Sequence, residues 1–258
     1  MQGPRPFLVH GVWKHSAATA RVTNPFTGNV IAEVCQAGDS DAEEALASSA
    51  AAAPVMAKLA SHARYNILQD MAALLYRRRD EFAQTITAEA GKPIADAKRE
   101  VNRAVQTLTI AAEEAKRIPG EVVPLDWTPQ TESFLGMVRR FPVGPIIGVT
   151  PFNFPLNLVV HKVAPAIAAG NPILIKPAPQ TPLTALLLGE VALEAGLPAG
   201  GLNVVPCDNA IAERLVIDPR FKLLSFTGSA PVGWMLKAKC GKKKGTLELG
   251  GNAGGIIE

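Results

Sequence analysis

Four places in this chain carry residues able to do chemistry. In "GTLELGGNAGG", a lone carboxylate, Glu248, sits between Leu247 and Leu249 and runs into Gly250–Gly251. Such an acid either ends a strand in water or serves as a general base in a partly dry cleft. In "VTPFNFPLN", Asn153 lies between Phe152 and Phe154, with Pro151 and Pro155 fixing the backbone on either side. An amide held that rigidly can donate to a developing oxyanion, or simply cap a turn or helix. In "ILIKPAPQTP", Lys176 closes an apolar run. Its ammonium can reach ribose hydroxyls or a phosphate, or it can be an ordinary surface lysine. In "LLSFTGSAPVG", a strand from Leu223 to Phe226 enters Thr227-Gly228-Ser229 and then a helix. Gly228 permits close backbone approach, Ser229 offers a hydroxyl, and the helix N-terminus favours a phosphate. Gly233 would let that helix pack tightly on a sheet. Alone, this stretch reads equally well as a plain glycine turn.

The other reactive residue types are poorly arranged. Cys35, Cys207 and Cys240 are few, odd in number and far apart, so they imply neither a disulfide framework nor a zinc site. A reducing compartment fits them. Lysines near Cys240 would lower its pKa, which leaves open an independent thiol enzyme, testable by alkylation kinetics. His10, His15, His62 and His161 have no metal-ligand spacing and read as surface or core filler. The lysines from Lys237 to Lys244 form the one dense basic cluster. They suit a solvated helix end, without the aromatic interleaving of a nucleic-acid surface.

Composition bounds the rest. With 258 residues, 48% apolar, 19% charged and a net charge of +3, the chain reads as globular, with a large core. The N-terminus has no long apolar stretch, so no signal peptide is expected. The apolar Leu158–Ile175 segment contains His161, Lys162, Pro165 and Asn171, which argue against a membrane span. A cytoplasmic protein without membrane or nucleic-acid partners is expected.

Periodicity then supplies the elements that must position those residues. The first forty residues read as short strands and turns. "DSDAEEALASSAAAA" reads as a helix capped by Ser40 and Glu43. A second helix is expected from His62 to Ala90, stopped by Gly91, and a third from Pro93 to Arg117. Residues 119–142 read as two extended segments joined by a turn, a β arm. From Pro145, short apolar runs alternate with helices: "PIIGVT", "NPILIK", "GLNVVP", "KLLSF" and "GTLELG" are strands. This texture predicts an α/β fold with a parallel, Rossmann-like sheet and flanking helices, with ligands at the carboxyl ends of its strands.

The order "TPFNFP", "KPA", "FTGS", "ELGG" closely resembles the aldehyde dehydrogenase superfamily. The resemblance runs over nearly the whole chain and covers the first half of a usual member. It implies three parts: residues 1–118 as N-terminal strands and helices, 119–142 as an oligomerisation arm, and 143–258 as the Rossmann-like core. It also implies roles. Asn153 would stabilise the oxyanion of a thiohemiacetal, and Glu248 would be the base for thioester hydrolysis, its pKa raised by apolar packing. Thr150, Pro151 and Phe152 would line the cofactor site, and Lys176 would bind the adenosine ribose. Gly228 and Ser229 would contact the pyrophosphate, with Gly233 behind them, and Leu249 and Gly250 would lie near the nicotinamide. The chemistry implied is oxidation of an aldehyde to a carboxylic acid, with NAD or NADP accepting hydride from an adduct on a cysteine.

This sequence departs from the family pattern in four ways. It stops ten residues after Glu248, and none of its cysteines matches the family's nucleophile position. The expectation is a cofactor-binding half that acts on aldehyde only together with the missing half. Cys207 stands where members commonly have glycine, and would crowd the adenosine. Pro179 replaces the glutamate often used by NAD-preferring members, so no carboxylate repels a 2′-phosphate and NADP is expected to be tolerated. Gly254 and Gly255 loosen the strand that usually follows "ELGG". A homo-oligomer is expected. The competing reading is a non-catalytic nucleotide-binding or assembly module; binding of NADP without turnover would favour it.

Overall fold

The computed structural model describes residues 3–255. The segment begins with a hairpin, β1 (Phe7–Val9) and β2 (Val12–Lys14). Its turn has left-handed φ at His10 and Gly11, the two-residue geometry that matches strand twist. A separate antiparallel pair follows, β3 (Thr19–Thr23) and β4 (Val30–Cys35). Asn24 organises the loop between them, its Oδ1 accepting from the N–H groups of Phe26 and Thr27.

Four helices come next: α1 (Asp39–Lys58), α2 (Ser61–Arg77), α3 (Arg79–Ala90) and α4 (Ile94–Ala115). Two expectations are corrected here. The first helix is capped at Gly38, whose N–H donates to Asp41 at 2.9 Å, not at Ser40 with Glu43. It also continues through Pro54 to Lys58. The second expected helix is two helices, broken at Arg78. That arginine departs from helical geometry at ψ 15, and its side chain pairs with Glu81 at 2.7 Å and Glu190 at 2.6 Å. Gly91 ends α3 at φ 66, as the sequence suggests, and a Cβ there would lie 2.7 Å from Pro25. On α4, an apolar face at helical spacing buries Ala97, Val101, Ala104, Leu108 and Ala112, while Ile94 is exposed.

The arm is formed by β5 (Glu121–Pro124) and β6 (Leu135–Val138), antiparallel across a 3-10 turn at Pro129–Thr131. Then come β7 (Ile146–Val149), α5 (Asn157–Ala168), β8 (Ile173–Lys176), α6 (Leu183–Glu194) and β9 (Leu202–Val204). They are followed by α7 (Asn209–Ile217), β10 (Leu223–Gly228), α8 (Ala230–Lys239) and β11 (Lys244–Leu249). The central sheet runs β11-β10-β7-β8-β9-β1-β2. Its first five strands are parallel, and β1 joins β9 antiparallel, so the N-terminal hairpin completes the same sheet. Residues 251–255 carry no strand, and Ile256–Glu258 lie outside the described residues. No helix among the described residues is long and apolar enough to cross a membrane.

Two buried carboxylates tie the helical layer to this sheet. Glu100 of α4 accepts from the N–H groups of Leu156 and Asn157, both at 3.0 Å, and pairs with Lys92. Glu89 of α3 does the same for α6, accepting from Leu183 at 2.7 Å and Thr184 at 3.0 Å. Each satisfies helix N-terminal donors that would otherwise be orphaned inside the core. Burial pushes the Glu89 carboxyl up to about 7, against its bonds from Thr184 and Leu183.

Candidate functional site

An open cavity of about 760 Å³ lies at the carboxyl ends of β7, β10 and β11. This is the edge where parallel α/β sheets take ligands. Parallel pairing places Ser225 beside Thr246 and Thr227 beside Glu248. These four side chains alternate with core residues along their strands, so one sheet face presents a polar stripe to the cavity.

Lys162 reaches that stripe from α5. Its ammonium donates to Ser225 Oγ at 3.1 Å and Thr227 Oγ1 at 2.8 Å. Gly148 of β7 makes room for it, since a Cβ there would sit 3.3 Å from Lys162 Cδ. Burial pulls the Lys162 pKa down to about 8, while the charge of Glu248 works the other way. Lys162 was not singled out from sequence; His161 and Lys162 counted only against a membrane span. The available signal was a charged residue inside the otherwise apolar "LVVHKVAPAIA", which has to be buried with partners. His161 lines the same cavity, and its pKa is lowered by burial and by Arg103 and Lys162.

Eight of the residues expected from sequence meet in this cavity: Pro151, Phe152, Asn153, Gly228, Ser229, Glu248, Leu249 and Gly250. Asn153 is exposed, with no hydrogen bond to occupy its amide among the described residues. Its loop is fixed from below. Phe154 lies under the Lys92 ammonium, 3.7 Å from the ring centroid, and Leu156 and Asn157 are held by Glu100. The environment expected for Glu248 is corrected. Leu247 and Leu249 are half-buried against the core, with Leu249 also reaching the cavity wall, while the carboxylate itself is exposed rather than wrapped in apolar side chains.

Ser229 caps α8 by position, but its hydroxyl makes no capping bond, and Gly228 and Ser229 line the cavity at the entry to that helix. The Ser229 hydroxyl, the adjoining glycine backbone and the positive end of the helix suit a pyrophosphate. Gly233 does not line the cavity. A Cβ there would fall 2.5 Å from Leu249 Cδ2 and 3.1 Å from Phe226, so glycine is what lets α8 lie on β10 and β11.

The remaining expected residues sit further along the same edge. Thr150 is buried and donates its N–H to the carbonyl of Lys176 at 3.2 Å. Lys176 ends β8 and is buried rather than exposed, with a pKa lowered by burial and raised by Cys207 and Asp208. Pro179 is exposed just beyond it. All three cysteines are buried. Burial drives the Cys207 thiol up to about 12, with Lys176 opposing. Cys240 is also raised by burial, which outweighs Lys243 and Lys237; the lowering expected from its lysine neighbours is therefore overturned.

Comparison with known proteins follows these features closely. A model of the "Aldehyde dehydrogenase family" matches residues 13–258. A 3-sulfolactaldehyde dehydrogenase of Priestia aryabhattai is 42% identical over 250 residues, covering 96% of this chain and 52% of that protein. The crystal structure of aldehyde dehydrogenase 21 from Physcomitrella patens, in complex with the reaction product succinate, is 45% identical with a TM-score of 0.95. It covers 98% of this chain and 53% of that one. An NADP-dependent glyceraldehyde-3-phosphate dehydrogenase of Bacillus halodurans, complexed with NADP, superposes with a TM-score of 0.93 at 29% identity, covering 97% of this chain and 53% of the other. The chain thus spans about half the length of the curated relatives it matches.

Proposed function

The chain belongs to the aldehyde dehydrogenase family, and on that premise we propose that its cavity holds the nicotinamide and pyrophosphate of NAD or NADP during oxidation of an aldehyde to a carboxylic acid. One observation carries this reading. Asn153, Ser229 and Glu248 come from three different elements and converge on one cavity at the carboxyl edge of a parallel sheet. The Gly228 backbone and the Ser229 hydroxyl, at the positive end of α8, would hold the pyrophosphate. Lys176, two strands away, would hold the adenosine ribose. The dinucleotide, once bound, supplies the hydride acceptor.

The chain's own residues divide the remaining work. The Asn153 amide donates to the oxygen on which negative charge develops. Glu248, exposed to water, takes a proton from the attacking water molecule. Lys162 stands beside it with two hydroxyl acceptors, and its depressed pKa leaves it able to exchange a proton near pH 8. None of the three thiols serves as nucleophile: all are buried and none lines the cavity. A sulfur from a second polypeptide segment completes the reaction. Pro179 leaves no carboxylate against a 2′-phosphate, which favours acceptance of NADP, in keeping with the NADP-complexed neighbour.

Residues 119–142 act as an arm for assembly. Trp127, Leu135 and Met137 are exposed apolar side chains along it, and a second copy would cover them. Assaying the pure chain with short aldehydes and NAD or NADP tests the division of labour. Reduced cofactor should not accumulate. Steady turnover that Glu248→Gln abolishes would overturn the assignment of the nucleophile to another segment.

A further inference from the structure

A second cavity, also of about 760 Å³, opens at the root of the arm. Its lining brings together four cationic side chains, Arg64 of α2, Lys116 after α4, and Arg139 and Arg140 after β6, and includes no carboxylate. Lys116 is partly compensated by Glu113 at 3.2 Å and lies 3.5 Å from the Tyr65 ring centroid. Arg139 stacks 5.3 Å from the Phe141 ring centroid. Among the described residues, no carboxylate lies within 4.0 Å of Arg64, Arg139 or Arg140. Arg64 is the most exacting of them. Its Nε is buried with no acceptor, and partial burial lowers its pKa, so one of its donors faces the interior unpaired. A buried donor left in that state favours any acceptor that can reach it, an anion above all. By contrast, the buried carboxylate of Glu100 is met by the Lys92 ammonium.

We propose that this cavity is a binding site for a multivalent oxyanion of the phosphate or pyrophosphate class, held by Arg64, Arg139 and Arg140. Guanidinium groups present paired donors that match phosphate oxygens, and the cavity is large enough for such an ion with its remaining water. The site is separate from the dinucleotide cavity: the two share no lining residue. It sits where the arm meets the body, flanked by Gly120 just before β5 and Phe141 beyond the end of β6. An ion there would tie both ends of the arm to α2 and α4.

The test is a titration of the full chain with sodium pyrophosphate at constant ionic strength, followed by amide and arginine Nε signals in nitrogen-15 spectra. The expected result is saturable change at Gly120 and at the Arg64 Nε, with changes at Gly228 and Gly250 separable by added NADP. Arg64→Gln and Arg140→Gln should each weaken the Gly120 response at least about tenfold, and Arg64→Lys, which keeps charge without the fork, by less. Melting temperature checks that the variants remain folded. Responses confined to Gly228 and Gly250, responses matched by sodium chloride alone, or a Gly120 response unchanged in Arg140→Gln would each overturn the proposal.

Discussion

Glu100 and Glu248 are the same residue type in the same protein, yet they face opposite surroundings. Glu100 is buried, with both oxygens engaged by two backbone N–H groups and an ammonium. Glu248 is exposed on a strand edge, beside a lysine that bonds to its neighbours and not to it. A carboxylate with every acceptor used is part of the frame. One held at a cavity wall with its oxygens free is available to a substrate or water. The frame and the cavity meet at one loop, where Glu100 fixes the backbone just after Asn153.

The largest effect should come from the frame. Glu100→Ala leaves two buried helix N–H groups without an acceptor and the half-buried Lys92 charge without its partner, and should cost about 3–5 kcal/mol in urea unfolding. A loss near that of a surface substitution would erase the distinction drawn between the two carboxylates. Next is Lys162→Met, in the cavity. Burial of its ammonium lowers the folded pKa below the unfolded one, so the folded state pays for the charge at neutral pH. The variant should gain up to about 3 kcal/mol at pH 7. The sign with pH is fixed: between about 8 and 10.5 the unfolded chain holds the proton more tightly, so the natural protein gains stability as pH rises and the difference closes. An unchanging gap across that window would mean the lysine is not desolvated.

Gly233→Val should cost about 1–3 kcal/mol, because the new side chain meets Leu249 and Phe226. The same change should weaken dinucleotide binding by lifting α8 from the sheet; unaltered binding would detach α8 from the site. The smallest effect belongs to Glu248→Gln. Its unfolding free energy should change by less than about 0.5 kcal/mol, as for other exposed positions. A large loss would make Glu248 a frame residue like Glu100.

Much of this division could be read from the sequence, and unevenly so. Strand–helix alternation after Pro145 follows from apolar runs and loop glycines, and the structure reproduces every one of those strands. The cavity residues were legible because strand ends and glycine turns announce themselves locally, as at Gly228–Ser229 and Glu248–Gly250. Long-range pairings were not. The break at Arg78 has no glycine or proline to mark it, and that residue's partner Glu190 lies far along the chain. Capping of α5 and α6 by Glu100 and Glu89 likewise joins residues with no local signature. Lys162 falls between these cases: its apolar surroundings flagged it, but only folding brings Ser225 and Thr227 to its ammonium. The low exposure of Lys176 and the high exposure of Glu248 both ran against the local pattern, since packing of the flanking elements decides them.

Calorimetric titration of the chain with NADP bears most directly on the cavity's assignment. One saturable site is expected, weakened at least about tenfold by Lys176→Ala and left within about twofold by Glu248→Gln. Absence of heat at millimolar NADP, or a site indifferent to Lys176→Ala, would contradict it.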